Sequence, residues 1–195
     1  AWNFRNAFGL PSPGFVLTPI TREVTTNGRF AFIGDSVGVS IAGQETSELR
    51  VLLDGVFGSA TYDAIGSRRT QGGTIPDGVS AAAAVPVGTE LVLVELGYND
   101  DPKTMAARID AVMSTLRSRQ VGRVALVNVS QRRPEFAATN AAIAAAGERW
   151  DRFFVFDWQS ASAGAQGDRW FSDKVHLTAS GRAEFAKFLR DRLLP

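Results

Sequence analysis

The chain predicts an α/β fold, a parallel sheet covered by helices on both faces. Two observations carry this. Short apolar runs of strand character alternate with longer segments of helical period, and a parallel sheet is the arrangement in which that alternation buries both kinds of element. The polar, chemistry-bearing residues also fall just after the strands, where ligands gather in open α/β sheets.

The elements follow in order. Residues 30–33 (Phe-Ala-Phe-Ile) read as a strand. Residues 37–53 have helical spacing at Ile41, Leu49, Val51 and Leu52. Residues 90–96 (Glu-Leu-Val-Leu-Val-Glu-Leu) are a strong strand, and residues 103–119 an amphipathic helix with Met105, Ile109, Val112, Met113 and Leu116 on one face. Residues 123–129 form a second strong strand, residues 135–150 an alanine-rich helix, and residues 153–156 another strand. Residues 178–194 close the chain as a helix with Phe185, Phe188, Leu189 and Leu193 at core spacing. Thr178 suits its N-cap, and Arg and Lys fill its later turns.

The first 28 residues are set apart by Pro11, Pro13, Pro19, Gly9, Gly14 and Gly28, and read as an irregular arm or the remnant of a linker. Trp2, Phe4, Phe8 and Phe15 suggest that the arm packs on the body, which spans residues 29–195. The chain begins Ala-Trp-Asn-Phe without methionine, as a processed or truncated product would.

At 195 residues, with 45% hydrophobic and 21% charged, the chain suits one globular domain with a full core. A net charge of +1 gives no reason to expect a nucleic-acid partner or an acidic membrane surface. The basic pairs Arg68-Arg69 and Arg132-Arg133 are too small for either. With no cysteine there are no disulfides, thiolate nucleophiles or cysteine zinc sites. A single histidine excludes a histidine-rich metal site, a carboxylate-only site has no recognisable motif, and serine chemistry with an imidazole base needs no metal or organic cofactor. No apolar run approaches the roughly 20 residues that span a bilayer, and no signal peptide is visible.

His176, the only histidine, stands three residues after Asp173 in Asp-Lys-Val-His. Serine chemistry with an imidazole base must use it, and Asp173 is close enough to hold the ring in one tautomer. A helix-entry loop with an incidental histidine reads the same residues differently. Ser36, in Gly34-Asp35-Ser36, sits where a strand turns into a helix. That position suits a nucleophile whose own N–H faces a developing oxyanion, and equally an N-cap. A phosphate-binding turn is a third reading, although Gly34 and Gly38 do not make a nucleotide fingerprint. Asn99 follows a buried strand in Gly97-Tyr98-Asn99-Asp100, and fits either an oxyanion donor or a turn. Gly66, in Asp-Ala-Ile-Gly-Ser-Arg, fits a turn or a close backbone approach to substrate.

Taken together and in this order, Gly34-Asp35-Ser36, Gly66, Gly97-Tyr98-Asn99-Asp100 and Asp173-Lys174-Val175-His176 resemble the motif blocks of the SGNH (GDSL-type) hydrolase superfamily. The resemblance covers about residues 29–195. It departs from the fuller consensus at Val37, where leucine is usual. The stretches 33–37, 63–68, 155–158 and 175–181 look further like the extracytoplasmic SGNH domains of membrane O-acyltransferases, the peptidoglycan O-acetyltransferase type among them, and like related bacterial esterases.

The resemblance implies a three-layer α/β/α sandwich with a five-stranded parallel sheet, akin to flavodoxin in architecture. It implies Ser36, His176 and Asp173 as catalytic residues and an oxyanion hole from Ser36, Gly66 and Asn99. Asp35, Arg68, Tyr98 and Val175 are placed at the substrate by the same likeness. The implied reaction is transfer of a short acyl group such as acetyl, to water or to a sugar hydroxyl, in the cell envelope. The partners would be an acyl-ester donor or acylated glycan, with a membrane acyltransferase domain outside this chain. Two other classes stay open: an idle carbohydrate-binding or scaffold domain, and a flavodoxin-like nucleotide binder.

Overall fold

The computed structural model describes residues 28–194. The arm expected over residues 1–28 lies outside them except for Gly28. Five parallel strands, β1 (Arg29–Gly34), β2 (Ser59–Ala64), β3 (Leu91–Glu95), β4 (Arg123–Val127) and β5 (Phe153–Phe156), form one sheet in the order β2-β1-β3-β4-β5. Chain order reverses direction at β1, so the crevice beyond the ends of β1 and β3 is the switch point of the sheet.

The helices are α1 (Ser36–Ala42), α2 (Glu48–Leu53), α3 (Gly78–Ala84), α4 (Met105–Ser118), α5 (Phe136–Arg149), α6 (Trp158–Ala161), α7 (Gly164–Asp168) and α8 (Ala179–Leu193). Side chains alternate across each strand, so the strands feed two separate cores. Phe30, Phe32, Leu91 and Leu93 pack with Ile41, Leu49, Phe185 and Leu189 of α1, α2 and α8. Ala31, Ile33, Val92 and Val94 face Ala82, Ile109, Leu116 and Ile143 of α3, α4 and α5. β3 is buried along its whole length, the pattern of a central parallel strand.

Three features differ from the sequence-based expectation. The helix over residues 37–53 is two helices, because the chain breaks between Ala42 and Glu48. Neither β2 nor α3 was expected: β2 reads Ser-Ala-Thr-Tyr-Asp-Ala and pairs only with β1 at the sheet edge, and α3 is a short alanine-rich helix. Two short helices, α6 and α7, occupy the segment before the Asp173 loop. Thr178 is the N-cap of α8, its side chain accepting from the Gly181 N–H. Among the described residues no helix is long and apolar enough to cross a membrane.

Register delivers the motifs to one place. Gly34 pairs with Ala64 on one side and Glu95 on the other. Ser36, Gly66 and Gly97 each lie two residues beyond this row, at the same edge of the sheet. The Ile65 N–H to Gly34 carbonyl and the Asp35 N–H to Glu95 carbonyl bonds, both 3.2 Å, carry the alignment one residue past the strands.

Candidate active site

Ser36 opens α1, so no intrahelical acceptor exists for its N–H. Its Oγ lies 3.1 Å from His176 Nε2. His176 Nδ1 lies 2.7 Å from Asp173 Oδ2. A chain of hydrogen bonds thus runs from hydroxyl to imidazole to carboxylate. The ring nitrogen facing Asp173 is the protonated one, since a carboxylate can only accept, and this leaves Nε2 as the acceptor for the serine proton. Such a chain can activate the hydroxyl as a nucleophile.

The Asp173 loop is built to hold this geometry. Lys174 takes a left-handed conformation, φ 75°. That bend lets Asp173 Oδ1 accept both the Val175 and His176 N–H groups, at 3.1 and 2.8 Å. The Ser172 N–H and hydroxyl both reach the His176 carbonyl, and Phe171 bridges to Leu177, closing the loop at its base. Below it, Trp158 stacks on Trp170 and meets Phe185 of α8. The His176 hydrogen bonds push the Asp173 carboxyl down to about 2. Asp173 and His176 side chains are each 52% exposed, so water reaches the pair.

Asn99 reaches the same turn through Gly97, whose φ of +135° favours glycine. Its Nδ2 donates to Asp35 Oδ2 at 2.9 Å and to the Arg68 carbonyl at 3.2 Å. Both partners are acceptors, which fixes the orientation of the amide. The neighbouring Asp100 is a brace: it accepts from Thr70 N–H and hydroxyl and from Arg108 at 2.5 Å, tying the loop after β2 to α4. Gly66 sits in the turn closed by the Arg68 N–H to Ile65 carbonyl bond, and Ser67 supplies its left-handed residue, φ 61°. A Cβ on Gly66 would meet nothing within 4 Å, so its backbone faces open space.

Of the four residues that sequence reasoning set at the substrate, Asp35, Arg68 and Val175 are buried and Tyr98 is half-buried. Asp35 is fully buried, with Oδ1 on the Val37 N–H and Oδ2 on Asn99. Arg68 is fully buried and bonded to Asp63 and to the carbonyls of Asp63, Gly34 and Pro76. The Tyr98 hydroxyl accepts from the Ser130 N–H, and burial pushes its pKa up. Val175 belongs to the core. The polar atoms of Asp35, Arg68 and Tyr98 are each bonded to the scaffold.

What sequence reasoning missed is a cleft of about 670 Å³ beside Asp173. It lies between the loop after β4, the short helices α6 and α7, and the Asp173 loop, walled by Ser130, Gln131, Arg132, Gln159 and Phe171. Gln159 is fixed by Asn140, and its amide donates to Gln131 at 2.5 Å. The Arg132 guanidinium lies over the Phe171 ring and is anchored on Asp168 and the Ser162 carbonyl. Also missed was Glu95, the last residue of β3, which is 2% exposed. Its carboxyl lies beside that of Asp35, and its Oε2 accepts from the Asp35 N–H at 3.3 Å.

No protein-family model matches the chain, and no curated protein matches it by sequence. Solved structures do match it in shape. A protein assigned to the SGNH hydrolases from Slackia heliotrinireducens superposes with a TM-score of 0.65 at 15% identity, covering 86% of this chain and 99% of its own. A member of the lipolytic G-D-S-L family from Veillonella parvula gives 0.63 at 14% identity, covering 84% and 96%. The family 3 carbohydrate esterase of Clostridium thermocellum gives 0.53 at 15% identity, covering 85% and 94%. At these identities the likeness concerns architecture: the chain has the SGNH-type α/β fold, a five-stranded parallel sheet flanked by helices.

Proposed function

We propose that this protein is a serine esterase that removes a short acyl group, acetyl by preference, from a cell-envelope carbohydrate. The observation that carries the proposal is the hydrogen-bonded chain Ser36–His176–Asp173 at 3.1 and 2.7 Å. Lipolytic G-D-S-L proteins and a carbohydrate esterase among the structural neighbours support ester hydrolysis as the reaction class.

Ser36 Oγ attacks the acyl carbonyl carbon while His176 Nε2 takes its proton. The resulting oxyanion is held by the N–H groups of Ser36 and Gly66 and by the Asn99 amide, which shares its longer bond to Arg68 with the new acceptor. His176 returns the proton to the leaving alcohol as the C–O bond breaks, giving the acyl-serine. Water, deprotonated by His176, attacks that ester. The acid leaves and Ser36 regains its proton.

Exposure of His176 and Asp173 favours water as acceptor over a sugar hydroxyl. The amide- and hydroxyl-bearing walls of the cleft beside Asp173 suit a hydroxylated alcohol portion. An extracytoplasmic location and a membrane acyltransferase partner rest on the sequence resemblance alone. The test is release of p-nitrophenol from p-nitrophenyl acetate, and of acetate from acetylated glycans, by wild type and Ser36→Ala. Equal rates in the two proteins overturn the proposal. Acetylated sugar formed in place of acetate, when a sugar acceptor is added, makes the protein a transferase.

A further inference from the structure

Glu95 and Asp35 are two buried carboxyls directly beneath the nucleophile turn, and the reaction above uses neither. Burying one carboxylate is costly, and burying two side by side more so, unless a proton is shared between them. Their partners show how the sharing falls. Asp35 accepts from Val37 N–H and Asn99 Nδ2, at 2.9 Å each. Both of its oxygens are used as acceptors, the pattern of a carboxylate. Glu95 Oε2 accepts from the Asp35 N–H at 3.3 Å and lies against Gly38, which leaves its carboxyl beside that of Asp35. With both Asp35 oxygens already engaged as acceptors, the shared proton falls to Glu95, whose carboxyl burial and the adjacent Asp35 push up.

We propose that Glu95 is a positioning residue for the Ser36 site: its carboxylic acid donates to Asp35, and Asp35 in turn clamps the Asn99 amide and the first turn of α1. The proposal rests on the esterase reading for its kinetic consequence but not for its structural one. Asn99 and Ser36 come from different strand ends, and among the described residues Asp35 is the one side chain bonded to both Asn99 and the α1 backbone. A free Asp35 carboxylate would rotate or recruit water, and the Asn99 amide would lose its fixed direction. Preorganised donors owe their effect to that fixity. Asp100 paired with Arg108, Tyr98, Arg68 and His176 complete the polar surroundings, and none of them replaces the Glu95 proton.

Glu95→Leu removes the donor, Glu95→Gln restores one without a titratable proton, and Asp35→Asn keeps the cap on α1 while turning a donor towards Asn99. Turnover of p-nitrophenyl acetate and the Asn99 side-chain amide resonances are read for each. We expect kcat to fall about 10- to 100-fold in Glu95→Leu and Asp35→Asn with KM nearly unchanged. Glu95→Gln should recover at least tenfold of a hundredfold loss. The Asn99 resonances should move in the first two variants and stay near wild type in Glu95→Gln. Folded Glu95→Leu or Asp35→Asn protein with wild-type kcat and wild-type Asn99 resonances overturns the proposal. If Glu95→Leu does not fold, Asp35→Asn decides. If wild type has no Ser36-dependent turnover, the esterase reading fails and the resonances alone judge the clamp.

Discussion

Asp173 holds His176 at two points: Oδ2 lies 2.7 Å from the ring Nδ1, and Oδ1 accepts the backbone N–H of the same residue at 2.8 Å. The carboxylate therefore orients the ring and folds the loop that carries it. Asp173→Asn should lower turnover by about 10⁴, because an amide presents the wrong hydrogen-bonding pattern to Nδ1. Asp173→Ala should add a loss of about 1 kcal/mol in stability, since two backbone N–H groups lose their acceptor. Steady-state kinetics and urea denaturation separate the two effects. A variant as active as wild type would remove Asp173 from the mechanism.

Two glycines should respond oppositely to a methyl group. At Gly181 a Cβ would stand 2.0 Å from the Trp170 carbonyl oxygen, backbone that cannot step aside. Gly181→Ala should cost about 1–3 kcal/mol, seen as a drop of several degrees in Tm. At Gly66 the same methyl meets only open space. Gly66→Ala should leave Tm within about a degree yet slow ester hydrolysis, because the methyl projects where substrate is proposed to lie. Unchanged turnover would mean that substrate does not approach Gly66.

Lys174 is the bend of the Asp173 loop, with positive φ. Lys174→Gly should keep the loop and its activity, with equal or slightly higher stability, since glycine adopts this conformation freely. Lys174→Val should cost about 1–2 kcal/mol or displace His176, lowering turnover at unchanged substrate concentration. Thermal melts with kinetics on both variants test this. Equal behaviour of Gly and Val would show that the bend is not needed.

Stability should decline as pH rises through the neutral range. Burial raises the Asp35 carboxyl from 3.8 to about 7, and raises Glu95 well above its usual value. Between about 5 and 7 the unfolded chain has released both protons, while the folded pair keeps at least the one it shares. Folding then loses about 1.4 kcal/mol of stability per pH unit for each proton retained. Glu95 extends the decline to higher pH. Asp173 acts in the opposite sense: lowered to about 2, it contributes stability above 3.8 that is lost as pH falls towards 2. The groups facing the buried pair, Asp100 with Arg108, Tyr98 and His176, remain in Asp35→Asn and Glu95→Gln. Urea midpoints from pH 4 to 8 should fall for wild type and be flatter in both variants. An equally steep wild-type and variant profile would place the proton elsewhere.

The strands and long helices were legible because each carries a run or period strong enough to read locally. β1, β3, β4 and β5 are apolar, and Thr178 is an ordinary cap. β2 was not, since an edge strand needs no apolar run and Ser-Ala-Thr-Tyr-Asp-Ala has none. The ordered blocks around Ser36, Asn99 and His176 pointed to residues that the fold does assemble. Asp35, Arg68 and Val175 lie in the same blocks but are buried in the scaffold, with Tyr98 half-buried, and burial is not written in a motif. The cleft walls come from two loops and the short helices α6 and α7, with no common pattern, so no local signal announces them. Glu95 did leave a trace: a charged residue inside an otherwise apolar, central strand must have a buried partner.

A single imidazole has a practical consequence. Protein labelled with ¹⁵N only in histidine would give one pair of ring resonances, from His176 alone. Their shifts would report which ring nitrogen holds the proton, the strength of the bond to Asp173, and the moment an acyl group on Ser36 removes the partner of Nε2. The chain thus contains its own unambiguous spectroscopic probe, at the atom where the proposed proton transfers occur.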